Sequence, residues 1–261
     1  MKSPRTSPRR IRVGAQLWPA GTHSYATLRQ AVSDVEAMGA DVIFGCDHVH
    51  APSAESGATS FEAWTTLAAW GEMTTRAEIG LLVTGMDYRN PDLLADMARS
   101  VDHISGGRLI LGLRARRYEK AYTTYGYDSA PPPFRALVEG LARIEDRLAR
   151  LLPPPLREIP ILIDGSGDTK TLLLIAGFAD IWHSAGPIDE FRRRDDMLKR
   201  YVAAARRDDS AIERAVWWRG PSEADLYRKD GATLFTAELK PGENGYDLTS
   251  LADLVAWRDG V

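Results

Sequence analysis

Eight times along this chain, a short run rich in Ile, Leu, Val and Ala is followed by a segment with helical spacing. The runs are residues 11–17, 41–45, 79–83, 109–113, 159–163, 179–182, 215–218 and 232–236. They are too continuously apolar for a sheet with one wet face and belong to a parallel sheet covered on both sides. The covering helices are expected at about 24–38, 61–75, 91–104, 134–152, 169–177, 189–206, 223–229 and 248–257. Pro91 suits a first helical position, and the Gly106-Gly107 pair suits a helix end. Eight such units favour an α/β fold closed as a single (β/α)8 TIM-type barrel, with an open doubly wound sheet as the alternative. The triple proline at 153–155 stops the fourth helix rather than dividing domains. One barrel domain over 11–261 is therefore expected behind a disordered basic tail, 1–10, which lacks the apolar stretch of a secretory signal.

Composition narrows the function classes. With 33 basic against 36 acidic residues, no global field favours nucleic acid. No apolar run reaches the ~18 residues of a membrane span. The single cysteine, Cys46, excludes an internal disulfide and a cysteine-rich zinc site, and it suits a cytoplasmic protein. The expected partner is a small molecule.

In this fold chemistry sits at the carboxyl ends of the strands. His23, His48, His50 and His183 follow strands, and only His103 falls on the opposite side. Asp47, Asp87, Tyr88, Arg114, Arg116, Arg117, Tyr118, Asp164 and Ser184 share the reactive face. Asp47-His48 is the acid–base candidate, because a histidine beside a carboxylate can carry a proton near neutral pH. A histidine hydrogen-bonded to a loop backbone is the alternative. His48 and His50 face one way but lack a third ligand, so no metal is expected. The turn Gly165-Ser166-Gly167 lets backbone N–H groups approach an anion at a helix start; a plain tight turn capped by Asp168 is the alternative. Trp18 and Trp182, at strand ends, are placed to wall an aromatic ligand. The run Arg192-Arg193-Arg194 reads as a solvated helix face.

The segments GAQLWP (14–19), CDHV (46–49), FEAWTTLAAW (61–70), the long block 78–113, YGYD (125–128), IPILIDGSG (159–167), ADIWHS (179–184) and LVAWRDG (254–260) carry a resemblance. The chain resembles luciferase-like monooxygenases, in the branch of deazaflavin (coenzyme F-420)-dependent oxidoreductases. The resemblance implies the same barrel, commonly as a homodimer packed through early helices. It implies Asp47 and His48 as the proton-handling pair. Leu82, Val83 and Thr84 would form a third-strand bulge backing the cofactor ring, often with a non-prolyl cis peptide nearby. Gly165, Ser166 and Gly167 would hold the cofactor phosphate. The implied chemistry is hydride transfer to or from a small organic substrate, with His48 exchanging the proton. FMN is the alternative cofactor.

Three departures accompany the likeness. Arg114-Ala115-Arg116-Arg117 stands where relatives carry a glycine-rich turn, Cys46 replaces a tryptophan, and an insertion before the last strands is missing. Arg114 and Arg116 could clamp an anion of substrate or cofactor, fill the ring's space in a cofactor-free protein, or turn outward into solvent.

Overall fold

The computed structural model describes residues 9–18, 24–47, 61–86, 88–115, 132–165, 169–243 and 245–261. Its eight barrel strands are β1 (Arg12–Leu17), β2 (Val42–Gly45), β3 (Glu78–Leu81), β4 (Leu109–Arg114), β5 (Ile161–Asp164), β6 (Ile181–Ser184), β7 (Glu213–Trp217) and β8 (Ala232–Leu239). All pair in parallel with their sequence neighbours, and β8 returns to β1, closing the TIM-type barrel. Around it lie α1 (Tyr25–Ala37), α2 (Ala63–Met73), α3 (Pro91–Ile104), α4 (Pro133–Leu148), α5 (Thr169–Phe178), α6 (Ile188–Ala204), α7 (Pro221–Lys229) and α8 (Thr249–Asp259). Local chemistry sets the starts. The Ser24 side chain accepts from Thr27 N–H ahead of α1, and Asn90 accepts from Asp92 N–H with Pro91 at the first position of α3.

Two apolar cores result. A large one fills the layer between barrel and helices. A smaller one inside the barrel contains Val42, Phe44, Ile110, Leu162, Ile181 and Leu234, which plug it as packed side chains. Below this plug, the amino-terminal mouth is sealed by charge. Glu213, 1% exposed, accepts from Arg12 at 2.7 Å and from Thr233 at 3.1 Å, while Glu78 binds both Arg12 and Arg157. Burial alone would lower the Arg12 pKa, but Glu213 and Glu78 outweigh it and hold the guanidinium above its ordinary value.

Several boundaries differ from the sequence expectation. The fifth and sixth strands run to Asp164 and Ser184, so Asp164 and His183 lie on strands rather than in the loops after them. The eighth runs on to Leu239 and brings in Glu238. A small hairpin (Pro241–Gly242 with Gly245–Tyr246) follows, and Tyr246 donates to Trp18 O at 2.6 Å. Two residues of the expected tail are tied down. Arg9 donates to the carbonyls of Ser210 and Ala211, and Arg10 binds Asp41. Residues 1–8 lie outside the described residues.

Glu36 shows how a carboxylate ties a loop to a helix. It accepts the backbone N–H groups of Thr75, Arg76 and Ala77 at 2.8–3.1 Å. Burial would raise its pKa, but these donors outweigh burial and hold the carboxyl below the ordinary value of 4.5. A depressed carboxyl stabilises the fold above its unfolded pKa, and that stability is lost as pH falls through the folded value. Glu36→Gln is therefore expected to lower the urea midpoint at pH 7. The gap from the parent should close as pH falls below about 4, and a gap that persists there would contradict the assignment.

Gly112 admits no side chain. A Cβ there would stand 2.0 Å from the Leu81 carbonyl oxygen, which is backbone and cannot yield cheaply. Gly112→Ala is expected to cost about 1–3 kcal/mol or more in chemical denaturation. An unchanged midpoint would show that the β3–β4 seam is looser than drawn.

Candidate active site

The site begins with a miscount between β3 and β4. Ile79 and Gly80 pair with Leu109 and Ile110, yet Thr84 and Gly85 pair with Leu113 and Arg114. Three residues, Leu81 to Val83, therefore oppose two, Leu111 and Gly112, which is a β-bulge. The Leu82–Val83 peptide is cis, as the resemblance implied. The bulge carries Leu82 and Val83 onto the interior face, where both line a cleft of about 320 Å³ at the carboxyl-terminal mouth. Thr84 does not join them. It is fully buried toward the outer layer, accepting from Trp64 Nε1 at 3.2 Å, so it does not line the cleft with Leu82 and Val83.

The β2 side of the mouth is built on a buried carboxylate. Asp47, 4% exposed, takes both its oxygens to Arg89, at 2.6 and 3.2 Å. Arg89 in turn reaches Glu62 at 2.6 Å. Burial pushes the Asp47 carboxyl above its usual range, with Arg89 pulling the other way and Glu62 adding to the rise. The Glu62 carboxyl sits below its usual range, because the Thr65 N–H and Arg89 outweigh its burial. Sequence reasoning missed Arg89, which sits in a stretch that reads as plain loop. His48 and His50 lie outside the described residues. Cys46 also lines the cleft, its thiol pushed far up by burial and kept protonated. Behind it a void of only about 10 Å³ remains among Trp70, Leu81 and Phe61.

Across the barrel, β5 and β6 present a second polar group. His183, 1% exposed, places Nδ1 3.0 Å from Asp164 Oδ1, and Arg114 Nη1 stands 3.0 Å from Asp164 Oδ2. The Trp217 ring meets the histidine edge-on, with centroids 4.6 Å apart. His183 Nε2 is buried with no partner among the described residues. Arg114 thus lines the cleft while tied to the neighbouring strand. Arg116 and Arg117 lie outside the described residues, as do Ser166 and Gly167. At Gly165 a Cβ would stand 2.6 Å from Thr171 Cγ2. Its N–H is spent on His183 O at 3.2 Å, so Gly165 offers no anion donor of its own.

Trp18 lines the cleft as expected. Trp182 does not. It is fully buried, stacked on Phe191 of α6 at 5.3 Å and donating to Gly165 O, which places it between sheet and helices. The alternation of strand side chains is the reason: His183 faces inward, so its neighbour Trp182 must face outward. Trp217 and Glu238 take the inward places instead. Gln16 completes the wall, its Nε2 donating to the Leu82 carbonyl and its Oε1 buried with no partner among the described residues. Among the described residues no group of His, Cys, Asp and Glu is arranged to hold a metal, and no helix is long and apolar enough to cross a membrane.

Comparison with known proteins fits this geometry. Residues 10–219 match the luciferase-like monooxygenase family. A Mycobacterium tuberculosis protein provisionally assigned as a coenzyme F-420-dependent oxidoreductase is 26% identical over 200 residues, covering 66% of this chain and 54% of that protein. The chain spans about half the length of the curated relatives it matches. Among solved structures, an F-420-dependent secondary alcohol dehydrogenase in complex with an F-420–acetone adduct superposes with a TM-score of 0.81 at 14% identity, over 95% of this chain and 98% of that one. The F-420-dependent tetrahydromethanopterin reductase of Methanopyrus kandleri gives 0.74 at 13% identity, over 95% and 98%. The oxygenating constituent of a Pseudomonas putida 3,6-diketocamphane monooxygenase, in complex with FMN, gives 0.64 at 17% identity, over 85% and 72%. With a closed eight-stranded barrel and a family match across most of its length, the chain belongs to the luciferase-like monooxygenase family.

Proposed function

We propose that this protein is an oxidoreductase that binds a deazaflavin of the coenzyme F-420 type in the barrel mouth and moves a hydride between it and a small organic substrate. The observation that carries the reading is the cleft, whose apolar strip of Leu82 and Val83 is raised by the bulge and faced by Trp18 and Trp217. A planar ring needs such an apolar wall, with a few polar groups at its edges to orient it. The residues present fit that requirement. Leu82 and Val83 would back the ring, and Ser166, Gly167 and the start of α5 would hold its phosphate. When bound, a deazaflavin supplies or accepts a hydride at a ring carbon and reacts poorly with oxygen.

The chain's own residues have separate duties. His48, next in sequence to Asp47, exchanges the proton of the substrate oxygen. Asp47 anchors the end of β2 through Arg89, since both its oxygens are already engaged. Arg114 offers hydrogen-bond donors to the cleft with its charge balanced by Asp164, and Arg116 would add a second guanidinium to bind an anion of substrate or cofactor. That balance argues against a cofactor-free protein with Arg114 filling the ring space, because the guanidinium is held against β5. A homodimer in the cytoplasm, acting on a small molecule and not on nucleic acid, belongs to the same proposal.

Titration of the purified protein with deazaflavin, followed by quenching of tryptophan fluorescence, is expected to give affinity in the micromolar range. Binding of FMN alone would point to the monooxygenase side of the family. Binding of neither at concentrations on the order of tens of micromolar would overturn the reading. His48→Ala is expected to lower turnover by about two to four orders of magnitude and leave cofactor affinity intact. Turnover unchanged in that variant would remove His48 from the chemistry.

A further inference from the structure

Of the polar groups around the cleft, most are already used. Asp47 is bound by Arg89, and Asp164 by both Arg114 and His183. Two acceptors are not used up. Gln16 is 3% exposed and lines the cleft, and its Nε2 is committed to the Leu82 carbonyl, which fixes the side chain's orientation and leaves Oε1 buried without a partner among the described residues. Glu238 is its register partner on β8, so the two side chains leave neighbouring strands on the same face. Among the described residues, the Glu238 carboxylate, 40% exposed, has one loose contact, with Lys240 at 3.6 Å.

A buried amide oxygen without a donor loses the full cost of its desolvation, and in native proteins such an atom calls for an occupant. Two adjacent acceptors cannot be served by a carbonyl or an ether. A single hydroxyl has one proton and can serve only one of them. A group with two or more N–H donors serves both, and the formal charge on Glu238 favours one that is positively charged. The nearby aromatic walls, Trp18 and Trp217, also suit a cation. Arg114 is the only cation among the described lining residues, against Asp47, Asp164 and Glu238, and it is neutralised by Asp164.

We propose that Gln16 and Glu238 form a recognition edge for a protonated amine carried by the substrate. This rests on reading the cleft as an oxidoreductase's substrate site, and it names the class of molecule that the site selects. The same N–H chemistry could come from the cofactor ring, so the test separates the two.

The test uses the full chain and three probes of one shape: benzylamine, benzyl alcohol and benzoate, titrated by calorimetry at low and high salt. Benzylamine is expected to bind at least about tenfold more tightly than benzyl alcohol, with a preference that shrinks as salt is raised. Glu238→Gln should abolish that preference without unfolding the protein, and Glu238→Lys should turn it toward benzoate. Equal binding of amine and alcohol, or a parent preference for benzoate, would overturn the proposal. So would a Glu238→Gln variant that keeps its amine preference, or one whose only loss is affinity for deazaflavin. Because these probes need no redox step, failure of the deazaflavin titration leaves this outcome separately readable.

Discussion

The seam between β3 and β4 is the constraint on which the rest of this barrel depends. One extra residue in β3 must be absorbed opposite Gly112, and the Leu81 carbonyl moves so close that no Cβ fits. The same irregularity does two jobs. It absorbs the extra residue without breaking the β3–β4 pairing, and it turns Leu82 and Val83 inward to make the apolar wall of the cleft. Gln16 reads the result from β1, since its amide nitrogen holds the carbonyl of Leu82. A change at Gly112 would therefore reach the site through the fold rather than through any direct contact with a ligand.

The eightfold alternation was legible in the sequence because burial on both faces demands uninterrupted apolar runs. The ends of those runs were not. Asp164, His183, Ser184 and Glu238 read as loop because they are polar, whereas in a barrel the uppermost interior layer is polar and still part of the strand. Asp164 is tolerated there because His183 Nδ1 and Arg114 engage its two oxygens. The same misplacement explains Trp182. Taking its strand to end at that residue made it a mouth residue, and extending the strand by two puts His183 on the inner face and Trp182 on the outer. Arg89 left no trace in local pattern, because its partners Asp47 and Glu62 are distant in sequence.

The two mouths of the barrel use similar charged residues to opposite effect. At the bottom, Glu213 and Glu78 are shared among Arg12, Arg157 and Thr233, and removing Arg12 would leave the buried Glu213 charge without its closest cation. Such pairs add little net stability over apolar packing, but they are costly to break, which suits a permanent seal. At the top, the ion pairs also balance, yet the balance is incomplete at specific atoms. Gln16 Oε1 and His183 Nε2 remain buried without partners among the described residues. A folded protein retains unsatisfied groups where a ligand, a water or a proton completes them. The seal keeps one such atom too, Arg157 Nε, so the site is marked by where its leftover hydrogen-bonding capacity sits, beside the cleft, rather than by charge. That capacity lies on β1 and β6, on either side of the aromatic wall formed by Trp217.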